Sequence, residues 1–259
     1  MKVGIVGCGN LGLSLLKGIH EALPEVEIVA SKRHIDSLQD YANPQVTITS
    51  DNARVLAECD ILLVCLKPFT ILPFLEEFKD HLDPQRHTLV SCATGIRMEE
   101  IQGAVGKEMG IYRAMPNTAA SVKESLTALS SGGDALNRKG EVTMLFSALG
   151  QVVHIDENLM ESATILGACG VAYVLRFMRA MIQGGIEIGF DAQTATAIVS
   201  QTMKGAAQLI ITNDSHPEQE IDKVTTPKGC TIVGLNEMEH AGFSSALIKG
   251  IVASYTKIA

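Results

Sequence analysis

Three early glycines have the spacing of an anion cradle. The run Val3-Gly4-Ile5-Val6-Gly7-Cys8-Gly9-Asn10-Leu11-Gly12 is an apolar strand, then Gly-x-Gly-x-x-Gly, then a helical pattern. Each glycine has its own task in such a turn. Gly7 permits the sharp reversal, Gly9 lets a pyrophosphate approach the backbone, and Gly12 lets the helix sit close on the strand. The helix that opens there offers unpaired N–H groups and the positive end of its dipole to a phosphate. Cys8, Asn10 and Leu11 lie between the glycines and are expected to share the contact.

A second group decides which dinucleotide. About 20 residues past the glycines, a site for NAD usually places Asp or Glu against the ribose 2′-hydroxyl. Here the second strand ends in Ser31-Lys32-Arg33-His34, and the nearest acid, Asp36, comes later, in the next helical pattern. A hydroxyl and two cations suit a 2′-phosphate, which a carboxylate would repel. The reading favours NADP(H), with NAD(H) as the alternative. His34 is placed to join that contact.

A third group lies in the second half, at Val224-Thr225-Thr226-Pro227-Lys228-Gly229-Cys230-Thr231. Thr226-Pro227 reads as an N-cap followed by proline at the first helical position. Lys228–Thr231 would then form the opening turn, with backbone N–H groups able to receive a carboxylate.

These groups need elements to hold them. Strand candidates are Lys2–Val6, Glu27–Ala30, Ile61–Leu66, Thr88–Ala93, Gly110–Ala114, Leu126–Ser130 and Gln151–Ile155. Amphipathic segments separate them: Gly12–Ala22, Ile35–Tyr41, Asn52–Ala57, Ile71–His81, Met98–Val105 and Arg138–Ala148. Alternation of nearly continuous apolar strands with helices predicts a mostly parallel sheet covered on both faces, an α/β Rossmann domain. Beyond about residue 156 the β-rich runs stop, and Glu157–Gly189, Asp191–Asn213 and Ser244–Lys257 carry helical spacing. The expected division is a nucleotide-binding domain over 1–155 and an all-α domain over 156–259.

Composition excludes several classes of function. The chain has 259 residues, 46% hydrophobic and 19% charged, with a formal net charge of −8. A protein that tracks a phosphate backbone shows the opposite sign, so no nucleic-acid partner is expected. Aromatics are 4% with no Trp, which argues against stacking platforms. The six cysteines form no CxxC pair and have no His at zinc-ligand spacing, so no metal is expected. The longest uncharged stretch of the second half, Ser162–Leu175, is too short to span a bilayer. A soluble cytoplasmic protein with free thiols, and no membrane partner, is the expectation. The seven histidines are scattered singly, and none stands beside Cys169 or Cys230 to activate a thiolate.

Beyond the cradle, several unlinked segments resemble the pyrroline-5-carboxylate reductase family. Leu63-Val64-Cys65-Leu66-Lys67-Pro68 is similar to its L-A-V-K-P, and Ser91-Cys92-Ala93-Thr94-Gly95-Ile96 to its S-x-A-A-G-I. Arg113-Ala114-Met115-Pro116-Asn117-Thr118 matches R-x-M-P-N-T. Val224–Thr231 is close to V-T-S-P-G-G-T-T, and Glu239–Phe243 follows as E-x-x-G-F. The resemblance runs from residue 2 to about 255.

It implies a Rossmann domain followed by a helical domain that dimerises by intertwining, with dimers often assembled into larger rings. It implies NAD(P)H-dependent reduction of the cyclic imine Δ1-pyrroline-5-carboxylate to L-proline, a step of proline biosynthesis on a small anionic substrate. Carried over residue by residue, it puts Asn52, Leu66, Lys67, Pro68, Ala93, Thr94 and Gly95 on the cofactor, the last three beside the nicotinamide. It puts Glu157 near the substrate and Gly229 and Cys230 on its carboxylate. The catalytic hydroxyl, hydrogen-bonded to the ring nitrogen, would be that of Thr231.

The departures are local. The family's S-G-S-G-P-A-Y is here Gly167-Ala168-Cys169-Gly170-Val171-Ala172-Tyr173, without either serine or the proline. Lys228 replaces a glycine, and Glu124-Ser125 replaces small residues. They leave two alternatives open: a reductase of a related imine, such as a six-membered ring, or a non-catalytic NADP-binding regulator of the same fold. A β-hydroxyacid dehydrogenase would carry K-x-x-x-N on the helix reading Gly170–Arg179, which has no such pair.

Overall fold

A computed structural model describes residues 1–133 and 136–258. The apolar runs become eight strands: β1 (Lys2–Val6), β2 (Glu27–Ser31), β3 (Val46–Thr49), β4 (Ile61–Val64), β5 (Thr88–Ser91), β6 (Gly110–Met115), β7 (Ser125–Ser131) and β8 (Gly150–His154). They form one sheet in the order β3-β2-β1-β4-β5-β6-β7-β8. Every neighbouring pair is parallel except β6–β7.

Period-two alternation sends successive strand residues to opposite faces. Val3, Ile5, Leu63, Val90 and Tyr112 enter one core with Leu15, Leu16 and Ile19 of α1 (Asn10–Ala22) and Val142, Leu145 and Phe146 of α5 (Lys139–Ser147). Val6, Leu62, Val64, Leu89 and Ile111 enter the other. There they meet α2 (Asn52–Glu58), α3 (Pro68–Phe78) and α4 (Met98–Val105). The expected Rossmann domain is therefore present, covered on both faces.

Two details differ from the sequence reading. β3 was not expected; its Val-Thr-Ile-Thr is short and half polar, and it takes an edge, where one neighbour suffices. The helix expected over Ile35–Tyr41 is a 3-10 turn, Asp36–Tyr41.

By internal contacts the chain divides into two compact units: Met1–Cys169 together with the end of the chain from Tyr255, and Gly170–Ser254. The second consists of helices: α7 (Gly170–Glu187), α8 (Ala192–Asn213), α9 (Pro217–Lys223), α10 (Cys230–His240) and the greater part of α11 (Phe243–Ile258). The short α6 (Met160–Ala163) and a π-helical stretch, Thr164–Cys169, belong to the first unit. Taken as one helix, Glu157–Glu187 has 31 residues and an 18-residue window of mean hydropathy 1.6. By length and composition alone it could cross a membrane, although its uncharged stretch is shorter than a span. Leu175, Ile188, Ile211, Val233 and Ile248 are all more than half exposed on the chain taken alone.

His87 anchors the N-terminal end of β5. Its Nδ1 accepts the Asp83 N–H at 2.8 Å and its Nε2 meets the Leu56 carbonyl at 3.0 Å, which requires the neutral ring. Burial lowers its pKa, helped by the neighbouring Arg86 cation. The unfolded chain therefore takes up this proton first as pH falls. The stability from His87 is complete above its unfolded value of about 6.5 and is lost as pH falls below it. In urea unfolding at pH 7.5 and 5.5, His87→Gln should show a smaller acid loss than the parent chain. Equal losses would remove His87 as the titrating group.

Candidate active site

In the order β3-β2-β1-β4, the chain leaves β1 in one direction along the sheet and later returns to its other side at β4. Such a reversal opens a crevice at the C-terminal edge of a parallel sheet. A cleft of about 540 Å³ lies there. Gly9, Asn10 and Leu11 line it from the loop after β1, and Cys65 to Pro68 from the loop after β4. Cys92, Ala93 and Thr94 follow from β5, Met115 to Thr118 from β6, and Ala168 from the π-helical stretch.

The glycine loop has the form that its sequence predicts. Gly7 has φ 89°, and a Cβ there would fall 2.7 Å from Leu66 Cδ2. A Cβ on Gly12 would fall 2.7 Å from the Gly7 carbonyl oxygen, so α1 packs at a distance that only glycine allows. A Cβ on Gly9 would meet nothing within 4 Å. The loop thus presents open backbone at the start of a 13-residue helix whose N-cap has no side-chain partner.

The Gly7 and Cys8 N–H groups both donate to the Ser31 carbonyl, at 3.2 and 2.8 Å, which ties the cradle to the end of β2. The Ser31 hydroxyl donates to Asn52 Oδ1 at 2.7 Å, and Lys32 Nζ to Ser37 Oγ at 2.8 Å. Arg33 is exposed. Ser31, Lys32, Arg33 and Asn52 therefore flank the glycine loop rather than line the cleft. An open cradle with Lys32 and Arg33 at the end of β2 fits a phosphorylated dinucleotide. Gly95, with φ 73°, ends the β5 loop just beyond the cleft lining. Lys67 caps α3 with Pro68 at its first turn, and its carbonyl receives the Thr70 N–H and hydroxyl. The Lys67 backbone is thereby fixed while its ammonium stays exposed.

Cys65 lines the cleft, and Cys8 is buried just after β1. Burial pushes the Cys8 thiol up to about 12. The Cys65 thiol is raised first by its hydrogen bond with Cys92 and then by burial. Both stay protonated at neutral pH, which removes them as nucleophiles.

Glu157 lies elsewhere in this unit, against a separate polar hollow of about 700 Å³. Its Oε1 accepts the Met98 N–H at 2.7 Å and pairs with Arg113 Nη1 at 3.2 Å. Arg113 Nη2 reaches Glu161 Oε1 at 2.9 Å. Arg113, on β6, is only 1% exposed. The segment Arg113–Thr118, which the sequence offers only as a family motif, has two parts: Met115 to Thr118 form the end wall of the cleft, and the buried Arg113 anchors it through Glu157 and Glu161.

In the helical unit the expected cap is corrected. Thr226 does not open a helix. Thr226–Gly229 forms a turn closed by the Gly229 N–H on the Thr226 carbonyl at 2.9 Å, and α10 starts at Cys230 with Gly229 as its N-cap. Lys228 is the cause: at φ 60° it occupies the left-handed region, which breaks the helical run. The family's glycine would take that conformation freely. Cys230 and Thr231 fill the first turn, and Gly229 has no side chain to cap it.

Comparison with known proteins matches residues 157–259 to a family described as pyrroline-5-carboxylate reductase dimerisation. Residues 2–95 match one described as NADP oxidoreductase, coenzyme F420-dependent. Pyrroline-5-carboxylate reductase 2 of Dictyostelium discoideum is 40% identical over 99% of this chain and 91% of its own length. The chain belongs to the pyrroline-5-carboxylate reductase family. Reductase 1 of the same organism is 41% identical over 99% of the chain, which spans only 49% of that longer relative. Among solved structures, the NADP-bound pyrroline carboxylate reductase of Plasmodium falciparum superposes with a TM-score of 0.90 at 26% identity, over 100% of this chain and 97% of the other. The family membership confirms the α/β plus helical architecture, and the 157–259 match identifies a dimerisation domain.

Breaking a buried ion pair from one side leaves charge without compensation. Arg113→Met leaves Glu157 and Glu161 facing the space of a removed cation. It should lower unfolding stability by about 3 kcal/mol, measured by urea denaturation; a loss under about 1 kcal/mol would show the cluster to be dispensable.

Proposed function

We propose that this protein reduces Δ1-pyrroline-5-carboxylate to L-proline with NADPH. The observation that carries the reading is the crevice at the sheet's reversal, built as an NADP site in a chain that aligns with reductases of this family through both halves. NADPH, when bound, supplies the hydride for the C=N carbon. The N–H groups at the start of α1 hold the pyrophosphate, because those of Gly7, Cys8 and Gly9 are engaged within the loop and with Ser31. Lys32 and Arg33 hold the 2′-phosphate, and Ser31 joins them by releasing Asn52 Oδ1. Ala93, Thr94 and Gly95 border the nicotinamide. The first turn of α10 takes the substrate carboxylate on the Cys230 N–H; the Gly229 N–H would join it only by leaving the Thr226 carbonyl. The Thr231 hydroxyl holds a proton at the ring nitrogen, whose basicity rises as hydride arrives. A contact from Glu157 to the substrate would compete with two bonds already on its Oε1.

The exposed apolar side chains of the helical unit support a homodimer formed through it, the second copy covering what one chain leaves open. All six cysteines are free, in keeping with a reducing compartment such as the cytoplasm. The absence of both family serines in Gly167–Tyr173 favours one second reading, a related cyclic imine as substrate.

Loss of NADPH absorbance with five- and six-membered cyclic imine acids separates these readings. Tight NADPH binding without turnover of either would mark a regulator. Arg33→Ala should weaken NADPH about tenfold, the loss of one charge-assisted contact, and leave NADH within about twofold. Equal losses would refute the 2′-phosphate contact. Thr231→Ala should lower kcat/KM for the imine by at least about 100-fold, the scale of one positioned proton donor. Its NADPH dissociation constant should stay near the parent value. A change confined to NADPH affinity would move Thr231 out of the reaction.

A further inference from the structure

One amide ties the cleft's end wall together. Asn117, at the C-terminal end of β6, is buried and lines the cleft. Its backbone N–H donates to Ser125 Oγ at 3.0 Å, which ties it to β7. Its Oδ1 accepts the Ala119 N–H at 2.9 Å and caps the 3-10 turn Thr118–Val122. That acceptor role fixes the amide's orientation, because an N–H must face oxygen. Nδ2 is left pointing at the Gly167 carbonyl, 3.0 Å away.

Gly167 lies within the π-helical stretch Thr164–Cys169, and the next residue, Ala168, lines the cleft. Widened turns of this kind are uncommon and concentrate at functional sites. This is also the segment where the chain lacks the serines and proline of its family, so no side-chain hydroxyl from Gly167 to Tyr173, other than that of Tyr173, remains to fix it. Along the sheet, the cradle after β1 stands at one end of the cleft and the loop after β6 at the other.

We infer that Asn117 is a positioning residue for hydride transfer. Its amide clasps the π-helical turn to the end of the cleft and sets the wall against which the imine meets the reactive end of the cofactor. The inference rests on the proposed reductase activity for its consequence and on the Asn117–Gly167 bond for its geometry. The phosphate cradle lies at the opposite end, so loss of the clasp affects the chemical step and leaves cofactor anchoring in place.

Asn117→Ser tests this directly. Serine keeps an acceptor suited to capping but has no amide to reach Gly167. Asn117→Asp keeps the cap and turns a carboxylate oxygen towards the carbonyl, so its effect should be larger. In the NADPH-loaded protein, amide hydrogen exchange of a peptide spanning 164–169 should quicken about fivefold in Asn117→Ser, the worth of one ordinary hydrogen bond. The kcat should fall about tenfold, with NADPH affinity within about twofold. The primary isotope effect with deuterated NADPH should increase as hydride transfer becomes more limiting. Unchanged exchange would overturn the clasp. A loss of NADPH affinity matching the loss of kcat, with the isotope effect unmoved, would reduce Asn117 to a structural part. Should Asn117→Asp fail to fold, Asn117→Ser carries the decision. Failure of the parent chain to reduce either imine would defeat the proposed activity alone, because the exchange measurement still decides the clasp.

Discussion

Parallel pairing governs this molecule. When neighbouring strands run the same way, their C-terminal ends share an edge, and each return journey must cross a face of the sheet. β1, β4, β5 and β6 therefore release their loops side by side, and the crossovers α1 to α4 cover the two faces. The crevice needs no element of its own. It opens where the strand order reverses beside β1, and its properties follow from which residues end those strands.

Those endings divide the labour electrically. The cradle and its neighbours Lys32 and Arg33 present backbone N–H groups, a helix N-terminus and cations. The floor between β4 and β5 presents the Cys65 thiol, held protonated by its hydrogen bond with Cys92 and by burial. A positive rim around a neutral floor concentrates attraction for an anion at one end. The net charge of the chain as a whole, −8, says nothing of how charge is distributed at that rim, and salt screens its more distant members.

Much of this was legible in the sequence because the signals are local. An apolar run followed by three spaced glycines announces both strand and turn, and Ser31-Lys32-Arg33 announces the absence of a carboxylate. β3 escaped because Val46-Thr-Ile-Thr is a weak apolar signal, adequate only at an edge. The start of α10 was misplaced because Pro227 is equally at home at a helix start and in a turn. A left-handed Lys228, which decides between them, goes against the preference of its residue type. Arg113 was unreadable for another reason. A buried guanidinium exists only by virtue of Glu157 and Glu161, far along the chain, and no spacing rule links residues that meet only in the folded state.

The single antiparallel step, β6 to β7, bears on the order of assembly. Tyr112 to Met115 pair with Ser131 to Ala128, near neighbours in sequence joined by one hairpin. Val3 to Val6 must find Ile61 to Val64 across the whole of β2, β3 and α2. Loop-closure entropy makes the first pairing quick and the second slow. The far wall of the crevice can thus form from local chain alone, while the seam that opens it for nucleotide awaits the most distant partnership between adjacent strands. Until that seam closes, the glycine loop is tied to β2 through Ser31 but has no facing loop from β4 to complete the crevice.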